Sequence, residues 1–397
     1  MTVTQAVCLV GGRGTRLGAL TDSTPKPLLE VGGRPFLDYL VHEARRFGLN
    51  RLLLLSGYKS GEIERRYHGQ RFGQLTVEVL AEPEPAGTAG ALVNAADRLD
   101  EAFFLLNGDS YFDFNWLSLV VAPGDWTMHA ALASGIEGSR YGRVQLDNGR
   151  VRGFQEKGAS SEPINAGIYL VKRRLLDSIT AVPCSLERDI LPGLAARGQL
   201  LGTAARGSFI DIGIPADFER AQELLPSFMH RPAAFLDRDG ILNRDDGYVH
   251  KPEDIVWIEG AIEAVRWLNE QGFYVFVITN QGGVAHGYYE EQHVHDLHDW
   301  MQQEMQRHGA HIDAFEHCPF HPDGVVERYK IESEFRKPQP GMILKLQREW
   351  TTDPARSFVV GDRDSDVAAA IAAGVAGYKF AGGNLLTFLR EHLPLAG

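Results

Sequence analysis

Ala6-Val7-Cys8-Leu9-Val10-Gly11-Gly12-Arg13-Gly14-Thr15-Arg16-Leu17 runs a short apolar stretch straight into a glycine-rich turn. Much later, Ala233-Ala234-Phe235-Leu236-Asp237-Arg238-Asp239-Gly240 starts the same way and ends in two acids. Each start is followed by short apolar runs that alternate with helix-like segments. In the first half the runs are Leu52–Leu55, Val77–Leu80, Phe103–Leu106, His129–Ala133 and Ile168–Val171; in the second, Tyr274–Ile278 and Ser357–Val360. Such alternation predicts parallel strands joined by crossover helices. The expected fold class is α/β with two domains, each a doubly wound, mainly parallel sheet. Leu225–Pro232 separates the halves, and its two prolines disfavour helix continuation. The expected domains are 1–228 and 232–397.

Composition agrees with two folded domains. The chain has 397 residues, 44% hydrophobic and 23% charged, enough apolar content for packed cores. Asp and Glu outnumber Lys and Arg by 52 to 40, so there is no basic excess to coat a nucleic-acid backbone. Three scattered cysteines give no disulfide framework and fit a reducing compartment. No apolar run reaches the length of a membrane span, and no signal peptide is visible at the start. A cytoplasmic protein without membrane or nucleic-acid partners is expected, and nothing in the composition forbids oligomerisation.

In the first half, glycines directly after a strand let backbone N–H groups approach phosphates closely. Arg13, Arg16 and Lys26 add charge where a triphosphate would sit. A dinucleotide fingerprint fits poorly, because Leu17 stands at its third glycine, and no Gly-Lys pair offers a P-loop. The whole string, with Pro25-Lys26-Pro27-Leu28, resembles the sugar-phosphate nucleotidyltransferases over about residues 4–225. Gly87-Thr88-Ala89-Gly90, Asn107-Gly108-Asp109, Phe154-Gln155-Glu156-Lys157, Asn165-Ala166-Gly167 and Asp211-Ile212-Gly213 recur at the family's sites, with Ile214 where Thr is commoner. The resemblance implies a Rossmann-like domain in which a sugar phosphate attacks the α-phosphorus of an NTP. It implies that Gly12, Gly14, Thr15, Gly87 and Thr88 bind nucleotide, and that Arg16 and Lys26 are catalytic. Glu156, Lys157 and Asn165 would bind the sugar phosphate, and Asp109 and Asp211 would hold Mg²⁺. Glu82, five residues before Gly87, stands where the family often contacts the base. A carboxylate suits guanine, which offers two adjacent donors, so GTP is the expected nucleotide.

In the second half, Asp237-Arg238-Asp239, Thr279-Asn280-Gln281, Arg336-Lys337-Pro338 and Gly361-Asp362-Arg363-Asp364-Ser365-Asp366 follow one another. This order resembles the haloacid-dehalogenase-like phosphatases, and within them the heptose 1,7-bisphosphate 7-phosphatases, over about residues 232–385. Histidinol-phosphate phosphatases are near relatives. The resemblance implies that Asp237 attacks phosphorus and Asp239 is the general acid and base. Thr279, Asn280, Arg336 and Lys337 would bind substrate. Asp237, Asp239 (through its carbonyl) and Asp362 would bind Mg²⁺, with Asp366 in support. The subgroup's structural zinc loop is broken here: Cys318 remains, but Ser333 and Phe335 occupy the other cysteine positions. No structural zinc is expected there, with Phe320, Val325, Tyr329 and a buried Phe335 holding the loop by packing. His293, His295 and His298 have no i,i+4 pair among them and read as a solvated helix face.

Together the halves imply consecutive steps. A phosphatase would turn heptose 1,7-bisphosphate into heptose 1-phosphate, and a guanylyltransferase would turn that and GTP into GDP-heptose. The alternatives are other substrates (mannose 1-phosphate, another NTP, histidinol phosphate) or a silent nucleotide-sensing domain.

Overall fold

The computed structural model of the chain describes residues 2–136, 142–155 and 162–393. It divides into two compact units, Met1–Pro226 and Ser227–Gly397. In the first, β1 (Gln5–Leu9), α1 (Phe36–Arg46), β2 (Arg51–Ser56), α2 (Ser60–Tyr67), β3 (Arg71–Phe72), β4 (Leu75–Ala81), α3 (Gly87–Asn94) and β5 (Ala102–Asn107) come first. Then follow β6 (Ser110–Phe112), β7 (Met128–Ser134), β8 (Arg143–Asp147), β9 (Arg150–Gln155), β10 (Ile164–Lys172), β11 (Leu200–Arg206), β12 (Phe209–Asp211) and α4 (Pro215–Met229). Helix α1 shows why these segments fold as they do. Phe36, Leu37, Leu40, Val41 and Ala44 recur at helical spacing and are buried, while Asp38 opens and Arg45 and Arg46 close the helix in line with its dipole.

The main sheet runs β8-β9-β11-β7-β10-β5-β1-β2-β4-β3. Strands β5, β1, β2 and β4 are parallel, but β10 pairs antiparallel to both β5 and β7, and β8 antiparallel to β9. The sheet is therefore mixed rather than mainly parallel. One cause was printed in the sequence. Asn148 and Gly149 link β8 to β9 at φ 49° and 74°, the left-handed pair that a two-residue hairpin demands.

Helix α4 corrects the linker expectation: it continues through Pro226 to Met229. Tertiary anchoring overrides the local proline cost. Gln222 accepts from Gly32 N and donates to Glu30 O, and the Pro226 ring occupies the space a Cβ on Gly32 would need.

The second unit holds β13 (Ala233–Leu236), α5 (Ala261–Glu270), β14 (Tyr274–Asn280), α6 (Glu291–Arg307), β15 (Ala314–Cys318), α7 (Gly341–Trp350), β16 (Phe358–Gly361), α8 (Asp364–Ala372), β17 (Ala376–Lys379) and α9 (Leu385–His392). Its sheet is wholly parallel, in the order β15-β14-β13-β16-β17. Central β13 reads as a continuous apolar run because both its faces are covered. Ala234 and Leu236 enter one core, and Ala233 and Phe235 the other. Polar groups therefore gather at the carboxyl ends of β13, β14 and β16, outside the sheet, where such folds bind ligands.

Candidate active sites

A cavity of about 760 Å³ opens at the carboxyl ends of β1 and β5 in the first unit. It brings together Gly12, Arg16, Lys26, Glu82, Gly87, Thr88, Asp109 and Asp211. Gly14, Thr15 and Asn165 are not among its lining residues. Gly14 places its carbonyl under the Thr21 hydroxyl, and Asn165 donates to the Tyr169 hydroxyl within β10. Glu156 and Lys157 lie outside the described residues.

The acids converge on one cation. Strands β6 and β12 pair antiparallel, with Ser110 opposite Asp211, which draws the Asp109 turn and Asp211 together. Lys26 Nζ lies 2.6 Å from Asp109 Oδ2 and 3.8 Å from Asp211 Oδ1. Burial, then the Asp109 charge, raise the Asp211 carboxyl; Lys26 and the Gly213 N–H oppose them. Two hard carboxylates whose shared charge is held by a single lysine fit a Mg²⁺ that completes its shell with water and phosphate. In the same cavity, burial raises the Glu82 carboxyl, against a hydrogen bond from the Ala86 backbone. Thr88 is not free to face a phosphate. Its hydroxyl accepts from Leu186 N and donates to Glu187 Oε2 at 2.9 Å. Glu187 also lines the cavity, and no local motif in the sequence had flagged it.

The second cavity, about 340 Å³, is lined by Asp237, Asp239, Thr279, Asn280, Arg336 and Lys337 among others. Lys337 is buried, and its Nζ lies 2.9 Å from Asp237 Oδ2, 2.7 Å from Asp366 Oδ1 and 2.9 Å from the Ile278 carbonyl. Burial pushes the Asp237 carboxyl up to about 7, although Lys337 pulls it back. Burial likewise opposes the Lys337 charge, but Asp237 and Asp366 hold the lysine above its ordinary value. Asn280 is spent on position: its amide donates to Lys337 O and accepts from Lys337 N, both at 3.0 Å. It also lines the cavity, where the sequence reading expects a substrate contact.

Asp239 is ringed by donors. Arg238 Nη2 reaches both its oxygens, Asn243 Nδ2 donates at 2.9 Å, and Gln281 Nε2 donates at 3.0 Å. Gln281 also donates to Thr279 Oγ1 and accepts from Tyr289 Oη. Arg238 and Gln281 stood inside quoted motifs, but nothing in their spacing announced this network.

One carboxylate oxygen from each of Asp237, Asp362 and Asp366 lies within 4.8 Å of the other two. Asp362 Oδ1 is buried and has no hydrogen-bond partner among the described residues. A Cβ at Gly240 (φ 85°) would come within 2.6 Å of Asp362 Oδ2, so only glycine leaves this carboxylate its place. A carboxylate oxygen with no hydrogen bond, only a distant Arg363 Nε at 3.9 Å, and two further acids beside it fits Mg²⁺.

Three expectations are corrected here. Val325 is 75% exposed and holds nothing, while Phe320 and Phe335 are only half-buried against the core of Cys318, Phe235 and Phe276. Phe320 also packs on Tyr329, with ring centroids 5.9 Å apart, but Ile331 is exposed like Val325, so apolar packing holds only part of the loop. His298 does not lie on a solvated face. It follows Val294 at i+4 and precedes Met301 at i+3, so it falls on the apolar stripe of α6, stacked on Phe315.

Residues 5–227 match the family model described as nucleotidyl transferase, and residues 334–385 match the HAD-hydrolase-like model. The chain is similar to the D-glycero-beta-D-manno-heptose-1,7-bisphosphate 7-phosphatase of Rhodopseudomonas palustris, 49% identical over 41% of this chain and 91% of that protein. A Burkholderia mallei protein named as the alpha-heptose 7-phosphatase is 46% identical over 37% of this chain and 78% of its own length. Among solved structures, HddC from Yersinia pseudotuberculosis, complexed with GMP-PN, is 30% identical with a TM-score of 0.51, covering 56% of this chain and 99% of that one.

Proposed function

We propose, from the premise that this chain belongs to the nucleotidyl transferase family across residues 5–227 and carries a HAD-like phosphatase domain behind it, that it performs two successive steps of NDP-heptose synthesis. The phosphatase removes the 7-phosphate of D-glycero-D-manno-heptose 1,7-bisphosphate. The nucleotidyltransferase then converts heptose 1-phosphate and GTP to GDP-heptose and pyrophosphate. The observation that carries the reading is the pairing on one chain of a domain like the heptose bisphosphate phosphatases with one like a protein solved with GMP-PN.

In the phosphatase, a carboxylate oxygen of Asp237 attacks phosphorus, and the P–O bond to the sugar breaks. Asp239 gives its proton to the departing alkoxide, then takes one from the water that hydrolyses the aspartyl phosphate. Gln281, Asn243 and Arg238 fix the orientation of the Asp239 carboxyl. Thr279 and Lys337 face the transferring phosphoryl oxygens. Mg²⁺, held by Asp237, Asp362 and the Asp239 carbonyl, would neutralise phosphate charge.

In the transferase, an oxygen of the sugar phosphate attacks the α-phosphorus in line and pyrophosphate leaves. Arg16 and Lys26 stabilise the triphosphate and the departing charge. Asp109 and Asp211 would hold Mg²⁺, which would supply charge neutralisation at the phosphates. Glu82 accepts from guanine N1–H and N2–H₂.

The test is incubation of the whole protein with heptose 1,7-bisphosphate, either anomer, and each NTP in turn, with mass analysis of the products. The relatives' names divide between the anomers, so both are needed. GDP-heptose as the main product is expected. Turnover of mannose 1-phosphate or histidinol phosphate in preference to the heptose substrates overturns the assignment, as does phosphatase activity with no nucleotide sugar from any NTP.

A further inference from the structure

A polar cluster remains that neither reaction uses. Glu291 and His295 sit one turn apart on α6, and His317 sits on β15. We propose that Glu291, His295 and His317 form a binding site for a divalent transition metal of the zinc class.

The donor atoms of the three side chains lie within 4.8 Å of one another. Glu291 Oε1 and His317 Nε2 are 3.0 Å apart. Two donors bonded tetrahedrally to zinc at ~2.05 Å stand about 3.3 Å apart, so the pair is already near ligand spacing. The imidazoles of His295 and His317 have their ring centroids 5.0 Å apart. An ion would take the place of the proton that His317 Nε2 now shares with Glu291, and the neutral ring would carry that proton on Nδ1 instead.

The site is supported from behind. Tyr329 Oη donates to Glu291 Oε2 at 2.7 Å, leaving Oε1 for the cluster and fixing the carboxylate's orientation. Burial holds His317 below its ordinary pKa despite the Glu291 bond, so its ring is neutral at neutral pH, the form that binds metal. One step along the same helix face, His298 is buried, and its Nε2 finds no hydrogen-bond partner among the described residues. Its ring lies 6.0 Å from that of His317, so the same corner of the fold holds an unmet demand for a polar partner.

The chemistry selects the ion. Two imidazoles and one carboxylate suit zinc, cobalt or iron and disfavour Mg²⁺ and Ca²⁺, which prefer all-oxygen shells. His295 is exposed, so an ion enters directly from solvent. Cys318 is not a ligand: strand alternation turns it to the opposite face of β15, where it packs into the core with Phe235 and Ile278. The bound ion would tie α6 to β15, the strand whose last carbonyl receives Gln281 N.

The full-length protein, stripped of metal, is titrated with Zn²⁺ against a chromophoric chelator, and with Co²⁺ followed by its visible spectrum. Asp362→Asn, which disables the phosphatase metal site, and Cys318→Ser serve as controls. One equivalent of tight Zn²⁺ is expected in the wild type and in both controls, with a cobalt spectrum showing nitrogen ligation. His295→Ala, at an exposed position with little folding risk, should weaken binding by about tenfold or more. Glu291→Gln should do the same. Absence of stoichiometric Zn²⁺ in the wild type overturns the proposal. So does binding that survives both His295→Ala and Glu291→Gln, or that disappears in either control.

Discussion

Replacing Lys337 with methionine keeps most of the side-chain volume but removes the cation that lies between Asp237 and Asp366. Both acids are buried and both lie within 3 Å of that amine. Breaking a buried ion pair from one side costs about 3–5 kcal/mol, because the partner charge stays buried and unpaired. For a unit of this size each kcal/mol moves the melting midpoint by about 2–4 °C, so the phosphatase unit should melt roughly 6–20 °C lower. A second effect falls on chemistry. Asp237 must be ionised to attack, and its carboxyl already stands at about 7 with Lys337 pulling it down. Without that pull it rises further. Below its pKa, each added unit removes about nine-tenths of the ionised form. The acid limb of the phosphatase pH–rate profile should therefore move to higher pH, and turnover at pH 7 should fall by about tenfold for each unit of that rise. Calorimetry with a pH series of phosphate release reads both effects, and nucleotidyl transfer serves as the internal control. A variant that melts with the wild type and keeps its acid limb would falsify the reasoning that Lys337 stabilises these two charges.

Three further outcomes are expected. Asp109→Asn should abolish nucleotidyl transfer while phosphate release continues, and Asp237→Asn should do the reverse; loss of both reactions in either folded variant contradicts independent sites. Glu82→Gln should erode the preference for GTP by about 1.5–3 kcal/mol, the worth of one charge-assisted bond, as read from kcat/KM for GTP against UTP; a wild type that uses both equally defeats the base assignment. Burial lowers the pKa of His129 from its ordinary 6.5 to about 4, even though its Nδ1 bonds the Leu119 carbonyl. The unfolded chain thus takes up this proton first as pH falls. The contribution is intact above pH 6.5 and is lost progressively down to about 4, on the order of 3 kcal/mol. Thermal midpoints of the first unit across that window should fall less steeply in His129→Gln, and identical slopes would count against the assignment.

The parts of the sites that were legible in the sequence are those carried by local pattern. Asp237 and Asp362 each end an apolar run, and the rule that strands of an open sheet present their carboxyl ends to ligand puts them together. What was not legible depends on contacts between distant segments. Glu187 reaches the nucleotide cavity only because Thr88, 99 residues earlier, holds its turn. The donors around Asp239 come from Arg238, Asn243 and Gln281, polar residues whose burial no spacing reveals. The antiparallel part of the first sheet is a different case. Asn148-Gly149 was a readable hairpin signal, outweighed by the parallel pattern around it. His298 likewise sat on a readable stripe, between Val294 and Met301, but its polarity drew attention away from its phase.

The order of strands in the second unit also sets a timetable for synthesis. Central β13 has β14 on one side and β16 on the other, and Leu236 pairs with Val360. Roughly 120 residues must leave the ribosome between those two, which at about 5–20 residues per second takes on the order of 6–25 s. Through that interval a fully apolar strand presents one unpaired edge, the kind of surface that recruits other nascent chains. The phosphatase unit is therefore expected to lose yield when translation slows or chaperones are scarce. Its nucleophile and Asp362 arrive from opposite ends of that wait, so no partial chain released before β16 emerges can display a working site.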